Sequence, residues 1–181
     1  MCYFFRFMTE TIHYDELKKL DRIEIRQYPV VVFAVVENHN EDTSFGLLFR
    51  YITGENKTKS RIAMTTPLVT SEKIKMTAPV ITRKNYMAFA VPSTHIGQTV
   101  PIPVNPEVKI EVQPKKHMAA IRFSGRTTVA RVQKHTQELL TTLNTHGIQI
   151  KGESILMRYN SPFTPGFLRR NEVAVEINDL K

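Results

Sequence analysis

One order of elements occurs twice in this chain: a pair of strand patterns, an amphipathic helix, then a second pair of strand patterns. Such a chain must bury two helix stripes against the faces of its strands. That points to an α+β architecture, a single twisted antiparallel sheet or barrel with two helices packed on it. The first copy begins at Leu20–Gln27. Leu20, Ile23 and Ile25 are apolar there, with Arg22, Glu24 and Arg26 between them. From Arg22 onward the alternation has the period of a half-buried strand. Tyr28-Pro29 punctuates it, because proline donates nothing to a ladder. Val30–Glu37 is β-branched and almost wholly apolar, as a buried strand is. The two strands read as a tight hairpin.

A helix follows. Asp42 or Thr43 can cap it. Phe45, Leu48, Phe49 and Ile52 recur at i, i+3, i+4 and i+7 and make one apolar face. Gly54 supplies the C-cap, and polar Glu55–Ser60 reads as a loop. Residues 61–70 and 73–82 then resemble each other. Each carries basic-Ile-x-Met-Thr-x-Pro-aliphatic, with Met64 and Pro67 echoed by Met76 and Pro79. Each proline is expected to interrupt pairing, which predicts extended segments with bulges or edges rather than central strands. Tyr86–Val91 is a further strand, stopped by Pro92. Thr99–Pro106 is a proline-rich loop.

The second copy repeats the plan. Val108–Val112 and His117–Phe123 alternate, with Lys115-Lys116 at the turn between them. Thr127 or Thr128 caps a long helix whose stripe is Val129, Val132, Leu139, Leu140 and Leu143, ending at His146-Gly147. Strands Ser154–Tyr159 and Glu172–Ile177 close the copy, with a loop at Asn160–Phe167. The expected organisation is an N-terminal extension at 1–19, poorly ordered, then one domain over 20–181. Its pseudo-repeats span about 20–92 and 107–178.

Charge and composition narrow the function. Lys+Arg is 25 and Asp+Glu is 17, a net charge of +8. Much of the excess lies in a basic belt: Lys57, Lys59, Arg61, Lys73, Lys75, Arg83 and Lys84, opposed only by Glu72. The belt is either a solvated polar face or an anion site. Nucleic acid is not favoured, because the belt lacks the interleaved aromatic residues of a stacking platform. The longest apolar run, Val30–Val36, falls far short of the ~20 residues of a membrane span. Met1–Met8 is too short for a secretory h-region, and Met8 is an alternative start. The lone cysteine, Cys2, permits no internal disulfide. A cytoplasmic location is the default expectation.

Enzyme templates fail. No nucleophile elbow, metalloprotease helix, P-loop or dinucleotide fingerprint occurs. The six histidines (His13, His39, His95, His117, His135 and His146) have no compact metal spacing. No catalytic residue and no metal ligand is therefore assigned. An enzymatic reading would be a hydrolase or a tetrapyrrole-modifying activity, with Glu153 or Tyr159 as the acid or base.

Five motifs in order carry a specific signal. They are Ile23-Glu24-Ile25-Arg26-Gln27-Tyr28-Pro29; Phe49-Arg50-Tyr51-Ile52-x-Gly54-x-Asn56; the Met-Thr-x-Pro pair; Phe123-Ser124-Gly125; and Arg158-Tyr159-Asn160-Ser161-Pro162-Phe163 running on to Arg169-Arg170-Asn171-Glu172-Val173. Together they resemble the SOUL haem-binding protein family over roughly Leu20 to Ile177. The resemblance implies a twisted β-barrel of two pseudo-symmetric halves with two outer helices. It also implies reversible, non-covalent binding of haem or a related tetrapyrrole, as a carrier or buffer, in an apolar cleft beside the first helix. It assigns Arg50 to a propionate and Phe45 and Phe49 to the apolar wall. Two family features are missing. Gln27 stands where one branch has a proposed axial histidine, and Pro162–Leu168 lacks the second basic residue of another branch. His39, Met64 and Met76 are the remaining axial candidates. The fold also resembles bacterial effector-binding domains, so the alternative is a small-molecule or effector-binding module that does not use haem. Burying several hundred Å² of porphyrin gives on the order of 10 kcal/mol, against ~4–15 kcal/mol for association. An axial ligand is therefore not required for micromolar binding.

Overall fold

The computed structural model describes residues 10–60, 68–92, 100–161 and 163–179. The strands before the first helix are β1 (Glu10–Thr11), β2 (Asp15–Leu20), β3 (Ile23–Tyr28) and β4 (Val31–Glu37), and α1 covers Glu41–Thr53. Then come β5 (Asn56–Ser60), β6 (Leu68–Thr70), β7 (Thr77–Arg83), β8 (Tyr86–Ala90) and β9 (Ile102–Pro103). The last part holds β10 (Lys109–Gln113), β11 (Lys116–Ser124), α2 (Val129–Thr145), β12 (Ile155–Arg158) and β13 (Arg170–Ile177). The main sheet runs β10-β4-β8-β7-β12-β13-β11-β3-β2, with β1 added to β7 in parallel. It is twisted and curled but not closed into a barrel, since β10 and β2 are its edges. Strands β6-β5-β9 form a small second sheet.

The order is symmetric about the β7–β12 boundary. Outward on one side lie β8, β4 and β10; outward on the other lie β13, β11 and β3. The outermost strand of each set comes from the opposite half of the chain. This corrects the expected hairpin between the first two strands. Strand β3 pairs with β11, from Ile23↔Ile121 to Tyr28↔Lys116. Strand β4 pairs with β10, from Val31↔Gln113 to Val35↔Lys109. The register is the same on both sides of the break, so β3–β4 and β10–β11 are two bent strands of one antiparallel ribbon. The reason is turn chemistry. A two-residue hairpin at Pro29-Val30 would need a positive φ, which proline cannot adopt and valine resists. The pre-proline residue also favours extended backbone. The true hairpin turns carry the residues that tolerate a positive φ: Asp21 at 52° between β2 and β3, and Asn85 at 53° between β7 and β8.

Side chains alternate between two buried faces. Beneath α2 lie Ile23, Ile25, Ala119, Ile121, Phe123, Val173 and Val175 with Leu139 and Leu143. Beneath α1 lie Ala34, Val36, Met87 and Phe89 with Leu47, Leu48, Tyr51 and Ile52. Among the described residues, the opposite face is covered by no helix. The sheet curls over its own cluster of Tyr28, Val31, Phe33, Ile81, Met118 and Met157 with the small Ala88, Ala90, Ala120 and Ala174. Burial on both faces is why Val30–Glu37 is apolar without alternation.

Several local expectations change. The α1 cap is Asn40, whose Oδ1 accepts from the Thr43 N–H at 2.9 Å, rather than Asp42 or Thr43. The buried stripe of α1 is Ser44, Leu47, Leu48, Tyr51 and Ile52, so Phe49 is rotated out of the core. Gly54 ends the helix as expected, at φ 129°. Residues 56–60 form a strand rather than a loop, because Asn56 clamps both sides of the turn. Its amide donates to the carbonyls of Tyr51 and Glu72, both at 2.7 Å. Strand β7 holds Pro79 at a bulge between Thr77 and Val80, as expected, yet it lies centrally between β8 and β12. The proline sits outside the β12 pairing, which begins at Val80. Of the expected extension, residues 10–19 include β1 and β2, and residues 1–9 lie outside the described residues. The first repeat up to Pro67, with Met64, also lies outside them.

Leu139 has no exposed surface, whereas Val129 on the same helix is 73% exposed. Leu139→Ala is expected to cost about 2–5 kcal/mol, and Val129→Ala to stay within about 0.5 kcal/mol. Denaturant melts of the two variants check this contrast.

Candidate functional site

The expected ligand wall lies on α1. Phe45 and Phe49 are one turn apart, and their rings stack at 5.9 Å between centroids with 14° between planes. Phe45 also meets Phe89 edge-on at 5.5 Å, which anchors the pair to the core. Phe49 is 47% exposed. Arg50 follows it at the helix end, where a cation suits the dipole. Its guanidinium is exposed and donates from Nε to Glu55 Oε2 at 2.9 Å. The helix therefore carries a half-buried Phe45, an exposed Phe49 stacked on it and, at its end, the exposed Arg50. The pair lies on open surface. The cavity between α1 and α2, of about 440 Å³, and the cleft of the inner face are lined by other residues.

The remaining axial candidates separate. Met76 is half-buried at the rim of the cluster beneath α1, where Phe45 also packs. His39 Nε2 lies 2.8 Å from Glu107 Oε1. Gln27 faces His117 across the β3–β11 ladder, Nε2 to Nε2 at 2.8 Å. Among the described residues, no group of three or more His, Cys, Asp and Glu could hold a metal ion. An aromatic surface and a guanidinium are the groups that a flat apolar ring carrying a carboxylate would require.

Sequence reasoning missed a polar centre on the inner face. Glu172 has no exposed surface. Its carboxylate accepts from Arg26 Nη1 at 2.5 Å and Nη2 at 3.1 Å. It also accepts from Arg170 Nη2 at 2.7 Å and from the Tyr159 hydroxyl at 2.8 Å. Arg26, 1% exposed, further donates to Glu24 at 2.6 Å and to the Tyr28 hydroxyl at 3.2 Å, and lies over the Tyr14 ring. Burial alone would push the Glu172 carboxyl up. The hydrogen bonds and charges of Arg26 and Arg170 outweigh that and hold it below the usual carboxylate value. Burial, reinforced by the Glu172 charge, pushes the Tyr159 phenol up. Tyr159 is therefore a poor proton donor, and Glu153 is exposed and lines the cleft that Tyr28 also borders.

The motifs read from the sequence meet here and at matching joints. The first motif supplies Arg26 and Tyr28; the last supplies Tyr159, Arg170 and Glu172. Asn171 donates to the Gly125 carbonyl at 2.9 Å, which ties the last motif to Phe123-Ser124-Gly125. The Tyr51 hydroxyl donates to the Pro101 carbonyl at 2.8 Å. Most motif residues are thus scaffold. The signal that could have found the network was the recurrence of ionisable residues two apart on one face, Glu24 with Arg26 and Arg170 with Glu172. Beside the network opens a cleft of about 190 Å³, lined by Tyr28, Phe33, Tyr86, Met118, Met157 and Lys116 among others. That is below the roughly 300–1,000 Å³ of drug-sized sites.

Residues 9–176 match the family model described as SOUL heme-binding protein. No curated protein matches the chain. The crystal structure of the EcmrR C-terminal domain is 12% identical with a TM-score of 0.55, over 92% of this chain and 99% of that one. The crystal structure of a hydrolase from Listeria innocua is 10% identical with a TM-score of 0.51, over 87% of this chain and 92% of that one. At these identities the likeness is one of fold.

Glu172→Gln leaves Arg26 buried without its main counter-charge, and is expected to cost about 3–5 kcal/mol. The folded carboxyl titrates below its unfolded value. Its contribution is therefore complete above the ordinary carboxylate range and is lost as pH falls through the lower folded value. Urea melts from about pH 2 to 7 should show a shallower acid limb in the variant than in the parent.

Proposed function

Because the chain belongs to the SOUL heme-binding protein family, we propose that it binds haem or a related tetrapyrrole reversibly and non-covalently on the face of α1. In this reading it carries or buffers the ligand. The observation that supports the location is the stacked Phe45–Phe49 pair, packed on Phe89 yet facing water beside Arg50. The bound group would supply a flat apolar ring and anionic propionates, and the chain's own residues do the rest. The phenyl pair covers apolar ring surface. Arg50 keeps its Nη donors for a carboxylate while Glu55 holds Nε, so the guanidinium fork is oriented before the ligand arrives. Binding then needs little ordering of the wall.

A second reading keeps the fold and drops haem. It is favoured by Gln27 in place of the family histidine and by the absence of Lys or Arg from Pro162–Leu168. In that case the chain is a binding module for other small hydrophobic molecules. Thermal shift separates the two readings, since a ligand of the native state raises the midpoint.

Haemin titration followed by absorbance, with albumin as the non-specific control, tests the first reading. A saturable one-to-one Soret shift is expected. Arg50→Ala should weaken it about three- to tenfold at low salt, less at high salt, as an exposed charge pair would. Phe45→Ser with Phe49→Ser should weaken it further. A linear response no better than albumin's, or an affinity unchanged by Arg50→Ala, overturns the assignment.

A further inference from the structure

The loop between β12 and β13 holds three large apolar side chains in water. Phe163, Phe167 and Leu168 are 95%, 78% and 62% exposed. The loop has its own frame of hydrogen bonds. The Phe163 N–H donates to Ser161 Oγ at 3.3 Å, and the Thr164 N–H to the Ser161 carbonyl at 3.0 Å. The Leu168 N–H donates to the Pro165 carbonyl at 2.9 Å, and Arg169 Nε to the Thr164 carbonyl at 2.8 Å. A loop tied by these hydrogen bonds, with side chains this apolar in water, forgoes the stabilisation that burial would give them, which marks it as a contact surface.

The two chain segments that meet at the tip carry charge of one sign. Residues 125–134 and 160–170 contain Arg126, Arg131, Lys134, Arg169 and Arg170 and no Asp or Glu. Arg170 is committed to Glu172. Arg126 packs on the loop, its Cγ 3.6 Å from where a β-carbon on Gly166 would stand. The Arg131 guanidinium lies so close to Gly125 that a β-carbon there would overlap it. Helix α2 starts at the same place with exposed Val129 and no acidic residue in its first turn. The positive end of its dipole therefore adds to the same field.

We infer that this loop docks the protein on an anionic lipid bilayer. Phe163 and Phe167 enter the boundary between headgroups and acyl chains, and Arg126 and Arg131 meet lipid phosphates. A groove on an acidic protein would answer the charge equally. Three side chains standing out from a loop tip instead suit a fluid layer, which accepts each without a shaped pocket. None of these residues is on α1, so the inference does not depend on the haem reading.

Co-sedimentation with vesicles tests it. The full chain should bind vesicles of phosphatidylcholine with phosphatidylglycerol and bind phosphatidylcholine alone weakly. Phe163→Ser with Phe167→Ser should lower the partition coefficient about tenfold, with an unchanged melting temperature because both side chains are exposed. Arg126→Glu with Arg131→Glu should remove the anionic preference and flatten the salt dependence. Failure to bind anionic vesicles, or full retention of binding by the serine variant, overturns the inference. So does retention on a polyglutamate matrix that equals vesicle binding and ignores the serine substitutions, which would assign the patch to an acidic protein.

Discussion

Glu172 sits without exposed surface between the guanidinium groups of Arg26 and Arg170. A carboxylate taken out of water is tolerated only when its lone pairs are filled and its charge is balanced. That requirement fixes much else. Arg26 must come from β3, which reaches Glu172 of β13 across the intervening strand β11. Tyr159 must turn inward at the end of β12. Glu24, Tyr14 and Tyr28 must complete the shell around Arg26. A one-residue slip between β3 and β11 would move Arg26 to the helix-covered face. The cluster therefore specifies one assembly of strands that hydrophobic burial alone would leave less defined.

The two faces of the sheet divide the work. The helix-covered face is aliphatic and closely filled, with Leu139 and Leu143 seated on β11 and β13 and with Leu48 and Ile52 seated on β4 and β8. The inner face mixes alanines, tyrosines and ions and leaves a small cleft. The α1 surface differs from both. Its phenyl pair belongs to a helix whose own core stripe is complete without Phe49. A large aromatic residue that packing does not require is available for another contact.

Much of the fold was legible because local chemistry and burial agreed. The Leu139 and Leu143 stripe of α2, the Gly54 cap and strands β12 and β13 follow from periodicity and turn residues. Val129, expected on that stripe, is exposed, and β10 runs on into β11 where Lys115-Lys116 reads as a turn. Where the two diverged, the sequence misled. Tyr28-Pro29 looks like punctuation between the arms of a hairpin, yet it lacks a residue that tolerates positive φ, whereas Asp21 and Asn85 do the actual turning. Phe49 fits a helical stripe as well as Leu47 does, and only the sheet beneath decides which is buried. Arg26 sits at a polar position of an alternating strand, which ordinarily means solvent. Nothing local reveals that this face is enclosed, because the enclosure is made by strands more than a hundred residues away in the chain. For the candidate site, the motif placed Phe45, Phe49 and Arg50 on one helix. It could not show that Glu55 already holds the guanidinium.

The exchanged outer strands bear on how such a chain could arise. In the ribbon, β3 and β4 of one half find their partners in β11 and β10 of the other. A polypeptide with a single half would leave its leading strand pair without that partner. Two copies of it would complete each other by trading those strands. The present chain thus has the strand order that two such halves trading their leading strands would have, with their boundary running between β7 and β12.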